Sequence, residues 1–180
     1  MATRCEVVFV CTGNQARSPF AEAVLRQSVD PAAVGVRSIG TQALDGAPAV
    51  VEALQIGCRA GLDLTGHRAR RLQPGELAGV DLVVGFEPAH ISIAIVDGGA
   101  DIATTFSLAE LGSILRALTL EDLRGERPSD VIREAHSRRK GTFLTASSIA
   151  DPIGTSPAVF LQTYSTIENH VAAVAEVIFE

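Results

Sequence analysis

Apolar positions along the chain fall into blocks whose spacing changes from one block to the next. Val7, Val8, Phe9 and Val10 follow one another without polar alternation. A β-branched run of this kind suits a strand covered on both faces, as in a parallel sheet. It predicts a first strand over Cys5–Val10, with Glu6 its one charge and Cys11 at its end. After Thr12-Gly13-Asn14 the period lengthens. Ala21, Val24, Leu25 and Val29 make a helical stripe that starts at Ser18-Pro19 and stops at Asp30-Pro31. Val34–Ile39 predicts a second strand, closed by Gly40-Thr41. Ala49–Arg59 predicts a second helix, with Val50, Ala53, Leu54 and Cys58 on its inner side. Pro74 and Glu76 open a further brief helix. Asp81–Gly85 reads as a third strand, and Ala89–Val96 as a helix whose β-branched residues leave a strand open. Ala103–Leu108 holds a fourth strand and Leu108–Leu118 a helix. Asp130–Arg139 is expected as an exposed helix ending in the basic tip Arg138-Arg139-Lys140, either a solvated face or a rim that guides substrate. The last helix is the most regular, with Phe160, Tyr164, Ile167, Val171, Val174 and Ile178 spaced by three and four.

Strands alternating with helices predict an α/β fold: a parallel sheet with helices on both faces, joined by right-handed crossovers. The chain has 180 residues, enough for one domain with its own core. No internal repeat or low-complexity linker divides it, so a single domain over 1–180 is expected. Aromatic residues make up only 4 %, which leaves the core to Val, Leu, Ile and Ala.

Charge narrows the partners. The formal net charge is −6, which argues against nucleic acid or an anionic membrane as a partner. Ile91–Val96 is too short to span a bilayer, and the N-terminus does not read as a signal peptide. Cys5, Cys11 and Cys58 are odd in number and form no Cys-x-x-Cys pair. This predicts no disulfide scaffold and no metal site, and fits a reducing cytoplasm.

The chemistry gathers where the first strand meets the first helix. Cys11 and Arg17 bracket a loop of Thr12, Gly13, Asn14, Gln15 and Ala16, and Ser18 follows. A helix N-terminus has unsatisfied N–H groups and positive potential, and a curled loop adds more amides. Arg17 adds a planar fork for two phosphate oxygens. In that field a thiolate is favoured over a thiol. The implied reaction is phosphoryl transfer to sulfur, followed by hydrolysis. Neither a Gly-x4-Gly-Lys-Ser/Thr loop nor a Gly-x-Gly-x-x-Gly fingerprint is present to support nucleotide binding instead.

A leaving group also needs a proton, from a loop other than the nucleophile's. Asp151, held by Pro152, is the first candidate, and a plain turn aspartate is the competing reading. Ser18 either donates to the thiolate or caps the helix. Asn14 can hold the loop by side-chain bonds. His67, among Arg59, Arg68, Arg70 and Arg71, is either structural or catalytic. Glu87 stands just past the third strand, where open α/β sheets place ligands, or simply starts a helix. Cys5 is expected to be buried and Cys58 to pack under a helix.

The stretch Val10-Cys11-Thr12-Gly13-Asn14-Gln15-Ala16-Arg17-Ser18-Pro19, with Ala21-Glu22-Ala23 after it, resembles the signature of the low-molecular-weight protein tyrosine phosphatases of bacterial type. The resemblance continues through Ser38-Ile39-Gly40-Thr41, Gly66-His67-Arg68-Ala69-Arg70, Asp81-Leu82-Val83-Val84 and Asp151-Pro152. It is weakest from about Leu118 to Thr145. It implies a three-layer, phosphatase I-like fold with a four-stranded, twisted parallel sheet. It also implies hydrolysis through a phosphocysteine, without metal or other cofactor. The substrate would be a phosphorylated protein, tyrosine first, with phosphoarginine or a small phosphomonoester as alternatives. By matched position Cys11 is the nucleophile, Arg17 the phosphate clamp and Asp151 the general acid and then base. Thr12 to Ser18 bind phosphate, Ser18 steadies the thiolate, Asn14 maintains the loop, and His67 supports Asn14.

Two positions depart from the family pattern. Ala16 stands where members often carry a second loop cysteine, so Cys11 lacks that disulfide partner and should be more vulnerable to irreversible oxidation unless another thiol reaches it. Ile153 stands where an aromatic residue usually walls the pocket. With Thr12, which members acting on phosphoarginine tend to share, it makes the substrate pocket the point to test. A third class of function, a non-catalytic phosphoprotein-binding module, is opposed by the intact Cys11, Arg17 and Asp151.

Overall fold

The computed structural model describes residues 4–118, 126–139 and 148–179. Strand β1 (Cys5–Cys11) leads into helix α1 (Arg17–Ser28), followed by β2 (Val34–Gly40), α2 (Val51–Arg59), β3 (Leu82–Gly85), α3 (Pro88–Val96), β4 (Thr105–Ser107), α4 (Leu108–Arg116), α5 (Pro128–Ser137) and α6 (Pro157–Val174). The four strands form one parallel sheet in the order β2-β1-β3-β4. Helices and turns cover both faces, giving the expected three-layer α/β fold.

The sheet explains why β1 has no polar alternation. Val7, Phe9 and Cys11 belong to the larger core, with Phe20 and Leu25 of α1, Leu111 of α4, and Phe160 and Ile167 of α6. Val8 and Val10 point the other way, into a smaller core with Val83, Leu72, Leu77 and Ala94. Side chains alternate faces along a strand, so a strand buried on both must be apolar throughout. The six residues singled out on the last helix are all buried. Each such aliphatic or aromatic side chain contributes roughly 1.5–3 kcal/mol by leaving water.

The second face has a thinner cover than the pattern predicts. No helix begins at Pro74; residues 74–79 form consecutive turns. Gly75 and Gly79 take φ of 72° and 78°, which a right-handed helix cannot include. The other ambiguity resolves toward helix. Despite its β-branched residues, α3 forms because Pro88 occupies its first turn and Glu87 and His90 cap it reciprocally.

Two further expectations are corrected. Helix α5 is not simply exposed, since Val131, Ile132 and Ala135 are buried. Its basic tip divides. Arg138 pairs with Glu134 at the surface. The Arg139 side chain is only 7 % exposed; its guanidinium donates to the Thr105 and Ile102 carbonyls and lies 4.2 Å from the Phe106 ring centroid. Arg139 therefore fastens α5 to the edge of the sheet and does not form a rim. Lys140 lies outside the described residues. Cys58 is exposed rather than packed under a helix, and Cys5 is half-buried.

Candidate active site

Strand β1 delivers Cys11 to the C-terminal edge of the sheet, and α1 begins at Arg17. No side chain caps α1 at Ala16, so its first-turn amides keep their positive potential for the loop. Asn14 shapes that loop. Its φ of 51° is the only left-handed value at a non-glycine position among the described residues, and asparagine tolerates it better than most. The Asn14 carbonyl lies 2.6 Å from His67 Nε2. Asn14 Oδ1 accepts from the Arg70 backbone N–H at 2.9 Å, which fixes the amide orientation because that partner can only donate.

The rest of the network follows from that orientation. Asn14 Nδ2 donates to Ser18 Oγ at 2.9 Å and to Ser38 Oγ at 2.8 Å. Ser38 donates to Glu22, which is held by Arg26 at 2.8 Å. Having accepted from Asn14, Ser18 Oγ has its own proton free for Cys11 Sγ, 2.9 Å away. The Asn14 N–H also points at Sγ, at 3.2 Å. Two donors thus converge on the sulfur. Asn14 and Ser18 are fully buried, which strengthens these bonds and keeps water out. Gly40 at the end of β2 gives the loop its room, since a Cβ there would lie 2.6 Å from the Thr12 carbonyl oxygen and 2.9 Å from the Asn14 nitrogen.

Arg17 joins this loop to two distant parts of the chain. Its side chain is 1 % exposed. Nη1 donates to Glu87 Oε1 at 2.6 Å and to the Ile149 carbonyl at 2.9 Å. Nη2 donates to Asp151 Oδ2 at 2.9 Å. Nε is buried with no hydrogen-bond partner among the described residues, an orphan donor that a phosphoryl oxygen would satisfy. The segment carrying Asp151 is pinned to the end of β3 by Ile149 N–H donating to the Phe86 carbonyl at 2.7 Å. Glu87 combines both of its sequence readings: it caps α3 and it pairs with Arg17.

The structure brings Cys11, Asn14, Ser18, His67, Arg17 and Asp151 into one constellation. Gln15 turns aside to tie down the neighbouring loop: its Nε2 donates to the Pro48 carbonyl, and its own carbonyl accepts from Val50. Ile153 is 48 % exposed, and its N–H donates to Asp151 Oδ1 at 3.2 Å.

Two residues escaped the sequence reading. His90 is 2 % exposed and its Nε2 lies 3.0 Å from Thr12 Oγ1. Its signal was the cap spacing Glu87-Pro88-Ala89-His90. Tyr164, read only as an apolar position, has a buried hydroxyl with no hydrogen-bond partner among the described residues. Its ring meets Phe20 edge-on with centroids 4.3 Å apart. Burial, with the negative charge of Cys11 and Asp151, pushes its phenol well above the usual range. Nothing in the period of α6 distinguishes it from its neighbours.

Comparison with known proteins finds relatives in sequence and in fold. Residues 6–113 match the family described as low molecular weight phosphotyrosine protein phosphatase. The chain is 34 % identical over 105 residues to a probable low molecular weight protein-tyrosine-phosphatase, EpsP, of Ralstonia nicotianae, covering 58 % of this chain and 71 % of that protein. Alignments with two further curated relatives span 52 % and 57 % of their lengths. Among solved structures, the fold resembles the tyrosine phosphatase AmsI of Erwinia amylovora (TM-score 0.72, 20 % identity, 99 % of this chain and 95 % of that one). It also resembles the YwlE arginine phosphatase of Geobacillus stearothermophilus (TM-score 0.70, 24 % identity, 96 % and 91 %). The family match ends before Asp151, so that residue's place beside Arg17 rests on the structure.

Proposed function

The chain belongs to the low molecular weight phosphotyrosine protein phosphatase family, and we propose that it removes phosphate from phosphotyrosine on proteins through a phosphocysteine formed on Cys11. The observation that carries this reading is the convergence of a thiol with two hydrogen-bond donors, a buried arginine with an unpartnered Nε, and a carboxylate held on that same arginine.

The Cys11 thiolate attacks phosphorus as the bond from phosphorus to the leaving oxygen breaks. A proton from Asp151 goes to that oxygen. Arg17 Nε and the loop amides hold the phosphoryl oxygens, and Nη2 exchanges Asp151 for substrate, which frees the carboxyl group to reach the leaving oxygen. Water then attacks phosphorus, its proton goes to Asp151, and the sulfur–phosphorus bond breaks to return the thiolate. Ser18 steadies that thiolate, and Glu87 holds the guanidinium while its contacts change. The three unpaired cysteines fit a cytoplasmic location.

Phosphoarginine hydrolysis is the second reading, favoured by Ile153, an exposed aliphatic residue that offers no ring to stack on a phenol. Phosphate release from matched phosphotyrosine and phosphoarginine peptides, with p-nitrophenyl phosphate alongside, separates the two. Cys11→Ser should abolish turnover on every substrate. Turnover that survives Cys11→Ser would overturn the phosphocysteine route, and wild-type protein inert on all three would favour a phosphoprotein-binding module.

A further inference from the structure

A cavity of about 640 Å³ lies beside the nucleophile loop but apart from the catalytic constellation, since Cys11, Arg17, Glu87 and Asp151 do not line it. Ser38 and His67 do line it, and both hold Asn14: Ser38 Oγ accepts from Asn14 Nδ2 at 2.8 Å, and His67 Nε2 lies 2.6 Å from the Asn14 carbonyl. The cavity therefore shares a wall with the network that shapes the loop. Four arginines face it, Arg26, Arg37, Arg68 and Arg70, against two carboxylates, Glu22 and Asp63. In a chain of net charge −6 that is a local reversal of sign. Both carboxylates are committed. Glu22 accepts from Ser38 and pairs with Arg26 at 2.8 Å. Asp63 Oδ1 accepts from the Thr65 N–H and hydroxyl at 2.9 and 2.6 Å. Arg37 is committed too, to Glu6 and Glu76, which are not part of the lining. The other three guanidiniums have N–H groups left over. Arg68 pairs with no carboxylate among the described residues; its Nη1 donates to the Thr65 and His67 carbonyls at 3.1 and 2.7 Å, and Nε and Nη2 have no partner among them. Arg70 uses Nη2 on Glu76 at 2.8 Å, and Arg26 keeps Nη1. Buried Leu62 and Leu64 complete the wall, and apolar surface beside a surplus of one charge focuses the potential into a cleft.

We propose that this cavity is a second anion site, which takes a small molecule with two or more phosphate or carboxylate groups and lowers turnover through the wall it shares with the loop. The volume falls in the range of small-molecule sites, and a single phosphate would leave most of it empty. Guanidinium forks match phosphate and carboxylate oxygens in pairs, and three of them with free N–H groups suit an anion that carries more than one such group. Arg26 transmits the effect. An anion in the cavity competes with Glu22 for it, and Glu22 is the acceptor that holds Ser38, as Ser38 holds Asn14 and Asn14 holds Ser18 beside Cys11. The added negative charge also opposes the phosphoryl anion that the loop must receive. The site itself does not depend on the phosphatase reading above; its effect on turnover rests on that reading.

Two measurements test it. Titration calorimetry with inorganic tripolyphosphate and with citrate, in the presence of saturating benzylphosphonate to fill the catalytic loop, should show one site per chain for at least one of the two. The stronger probe tells whether phosphate or carboxylate is preferred. Its affinity should fall about tenfold in Arg68→Ala, the worth of one charge-assisted hydrogen bond, fall further in Arg68→Glu, and stay within a few-fold in Arg68→Lys. Arg68 is exposed, so these variants should keep the fold. Without benzylphosphonate, a saturating concentration of that probe should lower kcat/KM on a phosphotyrosine peptide about fivefold, at the low end of usual coupling between sites. Arg68→Ala should turn over like the wild type without the probe and resist inhibition at the same probe concentration. No binding of either probe to the filled protein, or equal affinity in wild type, Arg68→Ala and Arg68→Glu, overturns the site. Inhibition that persists undiminished in Arg68→Ala places the probe in the catalytic loop and overturns the coupling, as does binding with no change in kcat/KM. A wild type without Cys11-dependent turnover would instead strike the phosphatase reading and leave the calorimetry standing.

Discussion

The nucleophile loop and the segment carrying Asp151 serve one reaction and are built in opposite ways. Residues 11–18 are continuous in sequence, with Cys11, Asn14, Ala16, Arg17 and Ser18 buried, and are joined by side chains whose donors and acceptors match in one direction only, from Asn14 through Ser18 to Cys11. Asp151 arrives from the far end of the chain and is half-exposed. It is held by Arg17 and by the Ile149–Phe86 bond two residues upstream. The rigid half matches groups that must already be in place when phosphate enters. The looser half matches a group that has to move a proton from one oxygen to another within a single turnover. Arg17 belongs to both halves, so phosphate binding and release of the acid become one event at one guanidinium.

The contrast predicts different kinds of damage. Asp151→Asn should lower kcat by about 10²–10⁴-fold, the usual worth of a positioned acid. Its urea midpoint should stay close to the wild type, because Glu87 and the Ile149 carbonyl still hold Arg17. Asn14→Ala should do the reverse at first sight, lowering stability by about 3–5 kcal/mol. It strands the Arg70 amide, removes both serine contacts and leaves an alanine in left-handed backbone. Urea melts paired with turnover on a phosphotyrosine peptide read both. A large stability loss in Asp151→Asn, or a stable Asn14→Ala protein with normal turnover, would erase the difference between the two regions.

The same contrast governs what the sequence could disclose. Cys11, Arg17 and Ser18 were legible because a tight strand-to-helix turn confines its chemistry to adjacent positions. The strands were legible because a two-sided sheet leaves no polar alternation. Asp151 carries no local signal beyond a turn held by Pro152; the need for an acid on another loop makes it a candidate, and the resemblance of Asp151-Pro152 to the family pattern sets it above a plain turn aspartate. His90 was hidden by its double use, since a histidine three residues past a helix start looks like a cap, and here it is a cap as well. Arg139 misled for a related reason. Composition marks a triple-basic run as solvated, but a guanidinium can also stack on a ring and satisfy carbonyls, and here the sheet edge offered both. Residues 74–79 turn instead of forming a helix because the start signal of Pro74 is outweighed by Gly75 and Gly79, both in left-handed backbone.

A smaller effect probes the point where the two regions meet. The His90 ring touches Thr12 of the loop, caps α3 together with Glu87, and feels Arg17 on α1 and Asp151 on the incoming segment. In the folded protein its pKa is lowered to about 4, whereas in the unfolded chain it titrates near the ordinary imidazole value of 6.5. Between those values the unfolded state binds the extra proton and the folded state does not, so stability falls as pH falls. His90 therefore contributes fully above about pH 6.5, and its contribution is lost as pH approaches 4. The full shift is worth roughly 3.5 kcal/mol. Urea melts at pH 7, 5.5 and 4.5 should show the wild type losing more stability across that range than His90→Gln, which has no imidazole to protonate. Matching losses in the two proteins would mean that the ring is free to charge in the folded state. The Phe86 and Glu87 amides would then face a protonated Nδ1 instead of an acceptor, and the link between the rigid loop and the acid side would have to run through Arg17.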